Sequence, residues 1–174
     1  MLVAALAAPA SAHPLEWHVE GTGEALPEAP ALDLRAHADG RHDGYVGVAS
    51  RFAPDGTWLG RAGVGIDLFG GGDGLDLRLG LFLGGVGNAG EPSMVARGSA
   101  GGEVEVALEL GRVRGSYRHA DGFAGVLEDR LTEDELRLGF RITDTWRVHG
   151  NFVVLNPGDD QPRDGFGLGV EAIF

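Results

Sequence analysis

The chain contains no cysteine and no lysine. Without cysteine there is no disulfide framework and no thiolate metal site. No apolar run reaches the roughly 18 residues that a membrane-crossing helix needs. That excludes a helical span but is silent about membrane-crossing strands, whose signal per segment is much weaker. Aromatic residues make up 7% of the sequence, and basic residues number 14 against 26 acidic ones. The formal net charge of −12 argues against nucleic acid as a partner. What is abundant is glycine, at 31 of 174 residues, a length that suits one domain.

Strand-like alternation runs through the body of the chain. Leu75, Leu77, Leu79, Leu81 and Leu83 alternate with Asp76, Arg78, Gly80 and Phe82. Before them, Trp58, Ala62, Val64, Ile66 and Leu68 share one face, and Arg61, Gly63, Gly65 and Asp67 the other. Val104, Val106, Leu108 and Leu110 oppose Glu103, Glu105, Ala107 and Glu109. Leu136, Leu138, Phe140 and Ile142 oppose Arg137, Gly139, Arg141 and Thr143, and Trp146, Val148, Phe152 and Val154 oppose Arg147, His149 and Asn151. Further strands are expected over 44–52 and 31–38. A period of two means one apolar and one polar environment. Glycine-rich and Pro-Asp-Gly punctuation between the runs, at 70–74 and 53–56, reads as hairpin turns. The stretch 126–136 reads as a loop with at most a helical turn, within a long polar connection over 120–134.

Strand number depends on Gly111-Arg112, where the apolar parity flips. A two-residue hairpin flips parity, and so does a bulge in one long strand. The hairpin, with a weak strand at 94–100, gives ten strands. One bent strand over 103–119 gives eight. Roughly 160 mature residues suit eight strands with modest loops, so eight is the expectation and ten the alternative.

At the N-terminus, Leu2 to Ala8 is apolar and Ala10-Ser11-Ala12 fits a signal-peptidase site. No basic residue precedes that stretch, so residues 1–12 read as a signal peptide lacking its front. Residues 13–30, with three prolines, read as an irregular leader with room for a short strand around Trp17 and Val19. Residues 31–174 are then the barrel.

The C-terminus is the most specific feature. Phe166, Leu168, Val170, Ala172 and Phe174 lie on one strand face, Gly167, Gly169 and Glu171 on the other, and the sequence stops on Phe174. This ending resembles the C-terminal sorting signal of bacterial outer-membrane β-barrel proteins. The chain as a whole resembles the small barrels of the OmpA/OmpX type. The resemblance implies an all-β, antiparallel, up-and-down transmembrane barrel, exported through the periplasm, with the barrel-assembly machinery and outer-membrane lipids as its partners. It implies no chemistry, because that fold hosts anchors, adhesins, enzymes and pores alike.

Alternation alone also fits a soluble, secreted barrel that binds an apolar ligand and wears its charges outside. Two features besides the terminus favour the membrane. The polar face is rich in glycine, as a narrow lumen requires. Its charges also nearly balance: Arg51, Arg61, Arg78, Arg137, Arg141 and Arg147 against Asp67, Asp76, Glu103, Glu105, Glu109 and Glu171. Enclosed charges need partners. These residues, with His149, form the expected lumen network, and an eight-stranded lumen so filled conducts poorly. A small pore is the alternative.

No catalytic, cofactor or metal site emerges. His149 lacks a serine at short spacing; Ser50, Ser99 and Ser116 are conceivable partners, but nothing in the sequence selects them. His37, His42 and His119 lie near Asp39, Asp43 and Asp121, a pattern that solvated loops explain as well as a metal site does. Gly70 to Gly74 is no phosphate loop, since neither a lysine nor a helix follows.

Overall fold

The computed structural model describes residues 16–25, 30–40, 44–52, 54, 56–69, 74–88, 97–124, 129–157 and 163–174. The signal-peptide segment 1–12 and His42 lie outside them. All regular structure among the described residues is strand: β1 (Glu16–Ala25), β2 (Pro30–Gly40), β3 (Gly44–Phe52), β4 (Thr57–Phe69), β5 (Gly74–Asn88), β6 (Arg97–Leu110), β7 (Val113–Ala124), β8 (Asp129–Arg141), β9 (Trp146–Pro157) and β10 (Arg163–Ile173). Each pairs antiparallel with its sequence neighbours, and β1 pairs with β10 to close the barrel. At the seam the Trp17 amide donates to the Phe174 carbonyl at 3.0 Å, and the Phe174 amide to the Trp17 carbonyl at 2.9 Å.

The barrel has ten strands, which corrects the expectation of eight. Gly111-Arg112 is a hairpin turn, and Gly111 sits in it with φ of 62°, the left-handed region that glycine enters without strain. The tenth strand is not the weak piece at 94–100, whose end is the start of β6. It is β1, inside the segment read as an irregular leader. The outward face of β1 carries Trp17 and Val19 but then Gly21 and Gly23, so its apolar period fades after two residues. Among the described residues the barrel therefore includes Glu16–Ala25 as well as the part from residue 31 onward. The polar connection expected over 120–134 is also shorter: β7 runs to Ala124 and β8 starts at Asp129.

Alternation fixes which face looks where. The leucines of β5 point out, with Leu75, Leu81 and Leu83 58%, 69% and 70% exposed. Val46, Val48, Val64, Ile66, Leu108, Leu138, Phe166 and Leu168 are likewise exposed, whereas Glu20, Glu24, Asp33, Arg51, Glu133, Glu135 and Arg147 are buried. The molecule is thus apolar outside and charged inside, the reverse of a soluble ligand-binding barrel. Trp17, Trp146 and Phe174 ring the end that holds the termini, and Phe52, Trp58, Phe123 and Phe166 lie toward the other. This is the arrangement expected of residues at two membrane–water interfaces.

Candidate functional site: the charged lumen

Ten strands bring their inward residues together in a polar, charge-paired lumen. All thirteen residues singled out by the sequence pattern face the lumen: Arg51, Arg61, Asp67, Asp76, Arg78, Glu103, Glu105, Glu109, Arg137, Arg141, Arg147, His149 and Glu171. Alongside them stand eight charged residues that the alternation does not single out: Glu20 and Glu24 on β1, Asp33 and Arg35 on β2, Arg114 and Arg118 on β7, Glu133 and Glu135 on β8. Among these named residues the expected six-to-six balance becomes nine arginines against eleven acids.

The end of the lumen nearer the termini is held by Glu109, which meets Arg114, Arg141 and Arg147. Arg147 also donates to Glu171 at 2.7 Å. On the neighbouring wall, Arg78 lies 2.9 Å from Asp67, the residue it faces across the β4–β5 pair. Halfway up, Arg35 donates to Asp33 at 2.7 Å and to Glu135 at 2.6 Å, and Arg137 bridges Glu135 and Glu20. Toward the other end, Glu133 is the hub. Arg51, Arg61 and Arg118 converge on it, and Arg35 stands 3.6 Å away. Arg51 also reaches Glu24 at 2.9 Å and Asp33 at 3.2 Å. A buried charge is tolerated when it is paired and hydrogen-bonded, and guanidinium–carboxylate pairs supply both conditions at once.

Lumen glycines act as slots. Tyr45 on β3 lies flat across Gly65 and Gly80, where an added Cβ would overlap its ring or hydroxyl, and its hydroxyl donates to Glu103 on β6 at 2.6 Å. The last strand works the same way. Thr22 on β1 reaches over Gly169 to bring its Oγ1 within 2.7 Å of His149 Nε2 on β9. Over Gly167, Asn151 donates to Glu24 at 3.3 Å. His149 is therefore tied to Thr22 rather than to Ser50, Ser99 or Ser116. His37 stacks on His18 inside the lumen, ring centres 4.4 Å apart. His119 faces outward and meets Asp134, not Asp121, at 2.8 Å. Among the described residues no group of histidine and carboxylate side chains is placed to hold a metal ion.

Between the Glu133 hub and the end bearing the termini, the lumen widens into a cavity of about 140 Å³. Seven arginines and five acids line it, together with His18, His37, Tyr45, Phe82 and Ser116. The guanidinium of Arg61 sits 5.0 Å above the Phe82 ring.

No family model matches the sequence, and no curated protein is similar to it. Solved structures are similar in fold. The KdgM porin in complex with disordered oligogalacturonate superposes with a TM-score of 0.58 at 8% identity, over 90% of this chain and 99% of that one. The NanC porin gives 0.53 at 11% identity, over 90% and 98%. The N-terminal barrel domain of Pseudomonas aeruginosa OprF gives 0.46 at 12% identity, over 91% and 97%. The chain has the fold of the bacterial outer-membrane β-barrels. Within that class it is a ten-stranded barrel with charged residues in its lumen.

Proposed function

We propose that this protein is an integral outer-membrane barrel with a structural or surface-interaction role, not an enzyme, and that its lumen is closed to ions. It is exported through the periplasm, and its partners are the assembly machinery, which reads the strand ending in Phe174, and the lipids around it. The observation that carries the closed lumen is the chain of ion pairs Glu24–Arg51–Glu133–Arg118–Glu135–Arg137–Glu20, which leaves β1, crosses the lumen from β3 to β8 and returns to β1. The connections at the end away from the termini, 26–29, 53–56, 89–96, 125–128 and 158–162, are short. That favours a structural role over an adhesive one. In planar bilayers the purified protein should show no stable open state, and in its host envelope it should fractionate with the outer membrane. Steady single-channel currents would refute the closed lumen.

The cavity below Glu133 favours a second reading, a small pore. The KdgM structure holds an oligogalacturonate, an acidic sugar chain. The lining of the present cavity, seven arginines against five acids, suits an acidic solute in charge.

A further inference from the structure

We infer that the outward face of β7 and β8 is where a second copy of this chain docks within the membrane. The inference goes beyond the structural role proposed above and rests on the barrel wall meeting lipid.

Among the described strand residues, the ionisable side chains that point outward are His119, Asp121, Arg130, Asp134 and Asp164. Asp164 stands at the very start of β10. The other four form one patch across β7 and β8, together with Tyr117 and Thr132.

The patch reaches down to acyl-chain depth. A pairing row followed from Leu75 of β5 through Leu108, Gly115 and Leu138, and on round the barrel, returns to β5 at Gly87. Rows therefore climb away from the terminus end in the direction β5 to β8. With strands about 4.8 Å apart and tilted about 40°, each step climbs about 3 Å. His119 on β7 and Asp134 on β8 share the row of Leu79. They lie about 6 Å and about 9 Å above Leu79, inside an apolar band about 25 Å tall.

Bonds within the patch do not take its charge out of lipid. Tyr117 donates to Asp134 Oδ1 at 2.6 Å, and His119 Nδ1 lies 2.8 Å from the same oxygen. Arg130 donates to Asp121 through two nitrogens, at 3.0 and 2.6 Å. His119 and Asp134 are still 38% and 39% exposed, and an ionised side chain on the lipid face is costly at that depth. Lipid headgroups do not reach it, because they sit at the interface, at the level of Arg130. Among the described residues, His119 Nε2 and Asp134 Oδ2 stay open for a further bond.

A second copy supplies what acyl chains lack. A two-fold axis along the membrane normal, between β7 and β8, sets β7 of each copy against β8 of the other. His119 and Asp134 are register partners, so His119 of each copy faces Asp134 of the other at nearly one level. The open Nε2 then meets the open Oδ2, twice. The next row sets Asp121 against Thr132, and the one beyond sets Phe123 against Arg130, a ring against a cation. The patch is two strands wide, which is the width over which two convex walls touch.

The test is disulfide trapping of the full chain in lipid vesicles, which the native absence of cysteine allows. Heat-shifted gel mobility checks that each variant is folded. Thr132→Cys, close to the axis, should oxidise to a dimer of twice the chain mass. Val48→Cys, outward on β3 in the far wall, should not. Sedimentation equilibrium in density-matched detergent should show the parent as a dimer. Asp134→Leu should still fold, since leucine suits lipid, and should weaken the association at least tenfold. A monomeric, untrapped parent, or a dimer that Asp134→Leu leaves unchanged, overturns the inference and leaves the membrane barrel intact. Thr132→Cys trapped only on a different protein in the host envelope, or lipopolysaccharide held by a monomeric parent and lost in Arg130→Ala, gives the patch another occupant and overturns it equally. A chain that stays dissolved without detergent overturns the inference and the membrane barrel together.

Discussion

Leu79→Arg tests which medium the barrel wall meets. Leu79 is the third of five outward leucines on β5, between Leu75 and Leu83. Outward residues recur every second position. At about 3.3 Å per residue and a tilt of about 40°, one step climbs about 5 Å along the barrel axis. Leu79 thus lies about 10 Å from either end of the leucine row, near the middle of an apolar band about 25 Å tall. An arginine there should cost about 2–4 kcal/mol of folding free energy, while the same change at Leu75 or Leu83 should cost about 0–1 kcal/mol. Leu79→Thr should be much milder, because a hydroxyl can bond to a neighbouring carbonyl and an ion in hydrocarbon cannot be neutralised so cheaply. The assay is reversible guanidinium unfolding in lipid vesicles across this series. A flat cost at the three positions, or a Leu79→Arg protein within about 0.5 kcal/mol of the parent, would refute a lipid-facing wall. A surface in water would give that flat profile.

Deleting Phe174 should leave export intact and prevent barrel assembly, so that cell fractionation finds the protein in the periplasm or degraded; normal insertion would remove the sorting role of the terminal strand. Arg147→Ala should cost about 3 kcal/mol, the low end for breaking a buried pair, because Glu109 retains Arg141 and Arg114 and Glu171 retains His18; equilibrium unfolding measures it, and a loss under about 1 kcal/mol would mean the pair is solvated. Gly169→Ala should cost about 1–3 kcal/mol as overpacking, since the new methyl would overlap His149 and Thr22. Gly23→Ala is its control, because nothing stands within 4 Å of the Cβ position there, and equal costs at the two glycines would dismiss the slot over β10.

The parts of the barrel that are legible in the sequence are those where one face is strongly apolar. Strand β5, with five leucines at alternate positions, needs no tertiary information. Strand β8 shows where the signal fails. Below Leu136 its outward residues are Leu138 and Phe140, but above it they are Asp134, Thr132 and Arg130, so both faces turn polar and the period vanishes. Glu133 and Glu135 are hidden in that stretch although they are 2% exposed. Outside, Tyr117 donates to Asp134 at 2.6 Å and Arg130 to Asp121 at 2.6 Å, a polar wall that satisfies itself and needs no apolar period. In β6 the pair Gly101-Gly102 breaks the pattern in the same way, so the alternation becomes visible only from Glu103 although the strand starts at Arg97.

Alternation says which face a residue takes, but not which residue it meets across the lumen. Arg35 and Glu135 are 100 positions apart, and Arg137 and Glu20 are 117 apart; only the closed register makes them partners. The miscounted strand and the incomplete charge network therefore have one cause. Strand β1 supplies Glu20 to Arg137, Glu24 to Arg51 and Asn151, and Thr22 to His149. A barrel closed without it would leave these inward groups short of partners, at a cost of about 1–3 kcal/mol for each buried polar group left unsatisfied. The lumen charges do not reveal the missing strand by themselves, because without Glu20 and Glu24 the named residues already balance at nine arginines against nine acids. What the amino-acid pattern does hold is the spacing by two of Glu20, Thr22 and Glu24 in the segment that precedes β2.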